Sequence, residues 1–237
     1  GERFHLGRAE IALAPAGHCL GSAQVCVFAS QRGADRVAVA AGDYKRDADA
    51  TRPCFEVVRC DEFITEATFG LPIYRWAPPD EVGDAMFEWC RLNADEGRVS
   101  FFLTYALGKA QRVLSELAAA AIRRGEPPPE VLTHGAVEPI NDLYRQAGVS
   151  LPPTRRAGEI QPARGQRNEY RGRIVLAPPS AAGSPWIRRF GKPAEVRTAF
   201  VSGWMTVRGV RRRRGYDTGF VLSDHADWPG LIHHCEE

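Results

Sequence analysis

The sequence predicts a two-domain α/β protein, because strand-like and helix-like segments succeed one another in two different ways. In the first 70 residues, short apolar or alternating runs are separated by Gly-rich or Asp-rich turns, which predicts consecutive strands. From residue 80 onward, helical and strand-like segments alternate, which is typical of a parallel α/β unit. The 237 residues, 44% hydrophobic and 25% charged, can form one large or two small cores, and this composition argues against a collagen, a disordered chain or a disulfide knot.

The strands of the beginning and the first helix follow from hydrophobic periodicity. Strands are predicted over residues 9–14, 23–29, 36–41 and 60–65. The pattern then becomes helical over residues 80–92, where Val82, Met86 and Trp89 recur at spacings of four and three.

The middle of the chain alternates between strands and helices. A strand over Val99–Tyr105 precedes an alanine-rich and leucine-rich helix over Ala106–Arg124, which ends at Gly125 and a triple proline. Residues 150–172 contain three prolines and many polar residues, which predicts a connector or an exposed loop. The remaining predicted elements are a strand over 131–133, a helix over 138–147, and strands over 174–177, 198–202 and 219–222.

Charge is distributed unevenly along the chain, although the net charge is only +2. Residues 1–100 carry 11 basic and 16 acidic side chains, whereas residues 145–214 carry 16 basic and 3 acidic ones, a local excess of +13. The unbroken run Arg211–Arg214 and the forked donors of arginine favour an anionic partner such as nucleic acid. The alternative is a solvated face of arginine-biased composition, since 28 of the 31 basic residues are arginine.

The sequence shows none of the usual features of a membrane or secreted protein. No apolar run reaches the ~18 to 20 residues that span a bilayer, and the N-terminus has no basic segment followed by an apolar one. The six cysteines form no CxxC pair and are interpreted as reduced core thiols. These observations predict a cytoplasmic protein. Because the chain begins at Gly1 on strand-like sequence and ends on a helix-like one, we interpret it as an internal fragment.

Ionisable side chains lie beside glycine at the predicted ends of several strands. Four segments share this arrangement: 15–18, 41–44, 64–70 and 222–227. Side chains at such ends project from a rigid sheet into a cleft, and His with Asp or Glu from several strands is how a zinc or dinuclear site is assembled. Each residue alone has a structural alternative, namely a turn cap for His18, an Asx turn for Asp43 and a surface carboxylate for Glu66.

Taken in order, these segments closely resemble one family. Residues 15–23, Pro-Ala-Gly-His-Cys-Leu-Gly-Ser-Ala, and Gly42-Asp43-Tyr44 resemble the third and fourth metal motifs of the metallo-β-lactamase fold. Glu66 in Thr-Glu-Ala-Thr-Phe-Gly resembles motif A of its β-CASP nuclease branch, and His225 in Ser-Asp-His-Ala-Asp resembles motif B. Residues 105–111 are similar to the β-CASP insert. Within that branch, three further segments are similar to the bacterial DNA-ligase-associated exonucleases: 71–76, 134–139 and 177–186.

The resemblance implies a fold, a reaction and a role for each residue. The fold is an incomplete metallo-β-lactamase αββα sandwich, over residues 1–70 and 221–237, interrupted by a parallel α/β β-CASP domain over residues 71–220. The reaction is phosphodiester hydrolysis by an exonuclease associated with DNA repair, with two zinc ions in the complete protein. His18 and Asp43 are the implied metal ligands, and Asp43 bridges both ions. His225 is the implied general acid, and Glu66 is its carboxylate partner.

Two junctions in the middle of the chain are candidate phosphate contacts. Gly108 and Lys109 follow a predicted strand, where backbone N–H groups, the helix dipole and the lysine charge attract an anion. Ser180 and Ser184 lie in a loop whose hydroxyl and backbone groups are donors to phosphate. The alternatives are packing of Gly108 against the sheet and turn formation by the serines. Three large aromatic side chains are candidates for stacking on unpaired bases, with core packing as the alternative: Phe190, Trp186 and Trp204.

The sequence also departs from that family. It contains no His-x-His-x-Asp-His cluster, and His233 and His234 follow His225 too closely to replace the family's downstream ligand. The chain by itself is therefore expected to bind metal poorly. The predicted partner is nucleic acid, DNA before RNA, with a functional association with a DNA ligase and a helicase. Two alternatives stay open: an RNA-processing β-CASP ribonuclease and a catalytically silent nucleic-acid-binding subunit.

Overall fold

The computed structural model describes residues 3–31, 34–160, 168–207, 209 and 215–236, and it confirms the α/β class. The chain forms two compact units. The first comprises Gly1–Arg75 together with Asp224–Glu237, and the second comprises Trp76–Ser223. The boundaries predicted from the sequence, after residues 70 and 220, lie a few residues earlier. The metallo-β-lactamase and β-CASP assignments of the two units stay predictions.

The first unit contains a five-stranded sheet. Its strands, in the order of the sheet, are β1 Arg3–Leu6, β2 Ala9–Pro15, β3 Ala23–Gln31, β4 Ala34–Gly42 and β5 Glu62–Thr65. The first four are antiparallel neighbours, whereas β5 runs parallel to β4. Ala12, Cys26 and Val39 lie opposite one another and are buried, because every second side chain of a strand points to the same face. This alternation explains why β2, β3 and β4 could be predicted, whereas β1, which is exposed at every position, was not predicted.

The second unit is a parallel α/β domain. Its strands are β6 Val99–Leu103, β7 Val131–Thr133, β8 Thr154–Arg156, β9 Ile174–Ala177, β10 Val196–Val201 and β11 Thr218–Phe220. They lie in the order β11-β10-β6-β9-β7-β8, and all pairs described are parallel. The helices are α1 Pro79–Asp95, α2 Lys109–Arg123 and α3 Glu138–Gln146. Short 3-10 helices occupy Ala157–Glu159, Asn168–Tyr170, Pro179–Ala181, Ile187–Phe190, Pro193–Glu195 and Gly203–Thr206.

Strand β6 is central in the sheet because its sequence is apolar at nearly every position. Phe101, Phe102 and Leu103 are completely buried. Phe102 packs with Met86 of α1 and Leu114 of α2 on one face, and Phe101 and Leu103 belong to the core on the other face. A parallel strand covered on both faces requires such a continuous apolar run. Burial of each large side chain contributes roughly 1.5–3 kcal/mol.

The structure differs from the sequence prediction at two places in this unit. The segment 150–172, predicted to be a connector, contributes the edge strand β8, which is too short and too polar to show a strand period. The helix predicted from Ala106 begins only at Lys109. The reason is Gly108, whose backbone φ of 76° lies in the left-handed region and interrupts the helix.

The cysteines are only partly buried, in contrast to the prediction that all six are core thiols. Cys26 and Cys90 are buried, but Cys54 and Cys235 are exposed, so the prediction of core thiols is wrong for the exposed pair. Burial raises the pKa of the Cys90 thiol to about 12, which keeps it protonated.

The first unit is completed by the helix that follows Ser223. Helix α4 spans Trp228–Glu236. The Asp227 carboxylate accepts a hydrogen bond from the Gly230 amide at 3.0 Å, which satisfies one of the free N–H groups at the start of the helix. Leu231 is buried with Tyr44 and Ala226. Among the described helices, none combines the length and the apolar character that crossing a bilayer requires.

Candidate metal centre

Four ionisable side chains of the first unit meet at one edge of its sheet. His18 follows β2, Asp43 follows β4, and Glu66 follows β5. Strands β2, β4 and β5 run in the same direction, so their carboxyl ends lie at the same edge. His225 enters the same group from the segment before α4.

Three of these residues are close enough to share a metal ion. One ligand atom each of His18, Asp43 and His225 lies within 4.8 Å of the other two. The His18 Nε2 is 3.8 Å from an Asp43 oxygen, and the His225 Nδ1 is 4.0 Å from the other oxygen. Two imidazoles and a carboxylate are a donor set that suits zinc and other divalent transition metals. The Asp43 side chain is 53% exposed, so the group is open to solvent and to a substrate.

The protein sets the tautomer of His18. Its Nδ1 lies 3.1 Å from the backbone carbonyl oxygen of Asp224. A carbonyl oxygen can only accept, so Nδ1 carries a hydrogen, and in the neutral imidazole the lone pair lies on Nε2, near Asp43. Orientation of a metal-binding histidine by a backbone carbonyl is a common arrangement around metal sites.

The loop that carries His18 is held by Ser22 and Gly17. The Ser22 hydroxyl accepts hydrogen bonds from the amides of His18 and Cys19, at 3.1 and 3.2 Å, and donates to the Cys19 carbonyl at 2.8 Å. Gly17 has a φ of 69°, and a Cβ atom there would lie 2.3 Å from the Lys45 carbonyl oxygen. Only glycine fits at this position, and this explains why glycine precedes the histidine.

We expect Gly17→Ala to lower the free energy of unfolding by about 2–4 kcal/mol, because it combines a left-handed backbone with a steric clash. Gly21→Ala is the matched control, since Gly21 has a φ of 82° but no atom within 4 Å of its would-be Cβ. The control is expected to cost only about 1–2 kcal/mol. Urea denaturation of both variants measures the difference, and equal losses would show that the clash is relieved by movement of the loop.

Glu66 orients His225. The His225 Nδ1 lies 2.9 and 3.1 Å from the two Glu66 oxygens, and the Tyr44 amide donates to the same carboxylate at 2.8 Å. Burial alone would raise the pKa of Glu66, but hydrogen bonds from His225, Thr68 and the Tyr44 amide outweigh it and lower that pKa. The ionised carboxylate therefore accepts a hydrogen from Nδ1 of His225. In the neutral imidazole, Nε2 then carries the lone pair, and in the imidazolium it carries the second proton.

Cys19, the neighbour of His18, has a perturbed thiol. Burial, together with the negative charges of Asp224 and Asp43, raises the pKa of the Cys19 thiol. A raised pKa disfavours the thiolate, which is the nucleophilic form of cysteine.

The four predicted phosphate contacts all belong to the second unit. Gly108 and Lys109 follow β6, and Ser180 and Ser184 follow the adjacent strand β9, so both pairs lie at the carboxyl edge of the parallel sheet. Ser180 is exposed. The Ser184 hydroxyl donates to the Ala181 carbonyl at 2.8 Å, a contact within its own turn.

The start of helix α2 has more internal contacts than the sequence suggests. The Lys109 amide donates to the Leu107 carbonyl at 2.9 Å, and the Ala110 amide donates to the Tyr105 carbonyl at 3.0 Å. The Lys109 ammonium is buried and donates to the Leu222 carbonyl at 2.9 Å. The structure therefore assigns Lys109 a contact with the end of its own unit, and its phosphate contact stays a prediction.

The arginine run that suggested nucleic acid, Arg211–Arg214, lies outside the described residues. Two contacts of the site were not predicted from the sequence. The Asp224 carbonyl that holds His18 is 206 residues away along the chain, and no local pattern marks it. The Ser22 hydroxyl lies four residues after His18, and a serine directly after Gly21 is a turn signal that could have been used.

Comparison with known proteins shows similarity to part of a protein that is named as a DNA ligase. No family model matches it. A protein of Opitutus terrae named "Probable DNA ligase" is 31% identical over 227 residues, which is 95% of this chain and 20% of that protein. The chain thus spans about a fifth of the curated relative that it matches, and it is similar to that portion of a protein named as a DNA ligase.

Proposed function

We propose that this chain forms the metal-binding and DNA-binding part of a nuclease that hydrolyses phosphodiester bonds, most specifically a DNA exonuclease associated with a ligase. The observation that carries the proposal is the group His18, Asp43 and His225, whose ligand atoms lie within 4.8 Å of one another, with Glu66 behind His225. The name of the Opitutus terrae relative supports DNA as the substrate. The resemblance to β-CASP exonucleases supports hydrolysis.

Of this group, His18 and Asp43 would hold zinc, two ions in the complete protein, with His18 as a terminal ligand and Asp43 as a bridging one. Zinc, when bound, polarises a phosphate oxygen and lowers the pKa of water. His18 presents Nε2 because the Asp224 carbonyl holds Nδ1. Asp43 follows the last residue of β4, so the sheet fixes its position, and its exposure allows it to contact more than one group.

His225 is proposed to act as the general acid, which protonates the leaving oxygen. The Glu66 carboxylate accepts a hydrogen bond from Nδ1–H and stabilises the imidazolium, so that Nε2 can deliver its proton to the leaving oxygen. A positioned acid of this kind contributes about 10²–10⁴-fold to the rate. Its closeness to Asp43 makes a ligand role the competing assignment, and the two roles predict different metal contents for a His225 variant.

The substrate would run over the second unit, where Gly108, Lys109, Ser180 and Ser184 are the proposed phosphate contacts. Of these, Ser180 is the exposed side chain. Lys109 would support the site by holding the chain at Leu222. The proposed partners are DNA and, functionally, a DNA ligase and a helicase.

The test is a hydrolysis assay on the full-length gene product. DNA labelled at one end, single-stranded or duplex, is incubated with the protein after chelation and again after zinc or manganese is added back. We expect mononucleotides to be released only with metal, and release from the 3′ or the 5′ label reports the polarity. RNA of the same sequence is the comparison. Failure to release any nucleotide from DNA with either metal contradicts the proposal, and faster cleavage of RNA contradicts the choice of DNA.

A further inference from the structure

We propose that the carboxyl edge of the parallel sheet binds an unpaired nucleic-acid strand by stacking bases on a row of four aromatic side chains. The row consists of His134, Trp186, Tyr105 and Trp204, and we call it the aromatic row. The inference rests on the proposed function and specifies its substrate as a single strand rather than a duplex.

The topology places one member of the row after each of four neighbouring strands. His134 follows β7, Trp186 lies in the segment after β9, Tyr105 follows β6, and Trp204 follows β10. These strands are adjacent in the order β7-β9-β6-β10 and parallel, so their carboxyl ends form one edge. With about 4.8 Å between neighbouring strands, the row extends over roughly 14 Å. It includes the point beside β6 where the strand order reverses, the usual ligand position of open α/β sheets.

Two members of the row are held rigidly. The half-buried Trp186 packs edge-to-face with Phe190, Phe101 and His134, at centroid distances of 4.9, 5.8 and 4.6 Å. The His134 Nδ1 accepts a hydrogen bond from the Ala136 amide at 3.0 Å, which fixes the ring. Aromatic groups already held in place lose little conformational entropy when a ligand binds.

The other two members are exposed although they adjoin fully buried strands. Tyr105 is 54% exposed and Trp204 is 38% exposed, whereas Leu103 and Val201, the last residues of their strands, are completely buried. Core packing therefore does not explain Tyr105 or Trp204. It does explain Phe190, which is only 2% exposed and is not part of the row.

The charge of this edge suits a polyanion. The four segments that form it, residues 104–109, 134–137, 178–192 and 202–207, contain no Asp or Glu. The amino edge of the same sheet is different, since Glu130 and Asp217 precede strands there and pair with Arg173 and Arg197 at 2.9 and 3.1 Å. Glu138, the residue after segment 134–137, is only 8% exposed and pairs with Arg145 at 3.3 Å, so it offers little repulsion to a phosphate backbone at the carboxyl edge. Stacking on the aromatic row needs an unpaired base, which a duplex does not offer.

The experiment measures the dissociation constant of the full-length protein for a fluorescein-labelled oligo(dT) with a nuclease-resistant phosphorothioate backbone. Stacking is lost when an aromatic side chain is truncated, so Tyr105→Ala and Trp204→Ala are each expected to weaken binding roughly 5- to 100-fold. Tyr105→Phe and Trp204→Phe keep an aromatic ring and are expected to bind nearly as wild type. A hairpin duplex with the same backbone is expected to bind equally to all variants.

Phe4→Ala is the matched control, because Phe4 is 52% exposed in strand β1 of the first unit. Unchanged affinity for oligo(dT) in both alanine variants, or an equal loss with Phe4→Ala, overturns the inference. The phenylalanine variants test whether a loss of binding is caused by lost stacking, because they keep an aromatic ring. If they lose as much affinity as the alanine variants, lost stacking is not the cause and the inference is contradicted. If the wild type hydrolyses DNA but prefers the hairpin, this inference fails and the proposed function stands. If the wild-type protein binds neither the oligo(dT) nor the hairpin duplex, the proposed function fails.

Discussion

Asp43→Asn is expected to lower metal-dependent DNA hydrolysis by about 10³-fold or more. The substitution keeps the size of the side chain and removes the negative charge that would lie between two metal ions. Because Asp43 is 53% exposed and follows the end of β4, its loss should leave the fold intact. The measurements are initial rates on end-labelled DNA and the zinc content of the purified protein, and both are expected to fall.

Asp47→Asn is the control for this variant. Asp47 lies in the same loop, its side chain is 67% exposed, and it pairs with Lys45 at 3.4 Å rather than with a histidine of the metal group. Its replacement removes the same charge and is expected to change neither rate nor zinc content. Near-normal turnover of Asp43→Asn with two zinc ions bound would contradict the assignment of Asp43.

His225→Ala is the second prediction, with an expected loss of about 10²–10⁴-fold in hydrolysis at unchanged metal content. The reason is that a general acid contributes to proton transfer and not to metal affinity. Glu66→Gln is expected to show a smaller loss and a changed pH profile, because the amide cannot stabilise the imidazolium held by the carboxylate.

His233→Ala is the matched control, since His233 is an exposed histidine of helix α4 in the same unit. We expect it to cleave DNA at the wild-type rate. Loss of a zinc ion from His225→Ala would show that His225 is a ligand, as its place beside His18 and Asp43 allows, and would reject the general-acid role.

The local sequence predicted the ionisable residues of the candidate metal centre because each lies beside a glycine or at the end of a strand. His18, Asp43 and Glu66 follow apolar strands whose periods of two predict both the strand and the point where it stops. Parallel strands then bring their carboxyl ends to one edge, so residues far apart in sequence become neighbours. Asp227 was equally predictable, since an aspartate before Trp-Pro marks the start of a helix and the structure shows its bond to Gly230.

Lys109 shows where sequence reasoning stops. A lysine at a strand-to-helix junction predicts a phosphate contact, which stays a prediction. The structure adds a contact that no local pattern marks, because the buried ammonium donates to the Leu222 carbonyl, 113 residues away. The same segment contains Tyr105, which no charge or motif position marks as a phosphate contact. Its side chain is more exposed than that of Lys109. Residue type indicates that a charge must be satisfied, but not by which partner.

The sequence by itself determined the α/β class, the central strand β6 and the set of ionisable residues at strand ends, because hydrophobic period and glycine placement are local properties. Only the tertiary structure decided the tautomer of His18, through a carbonyl 206 residues away. The pairing of Glu66 with His225 across 159 residues was implied by the family resemblance and by no local pattern, and the structure supplies its distances. The physical reason is that hydrogen bonds to buried polar groups depend on distances of about 3 Å, which are set by packing of the whole unit and not by neighbours in the chain.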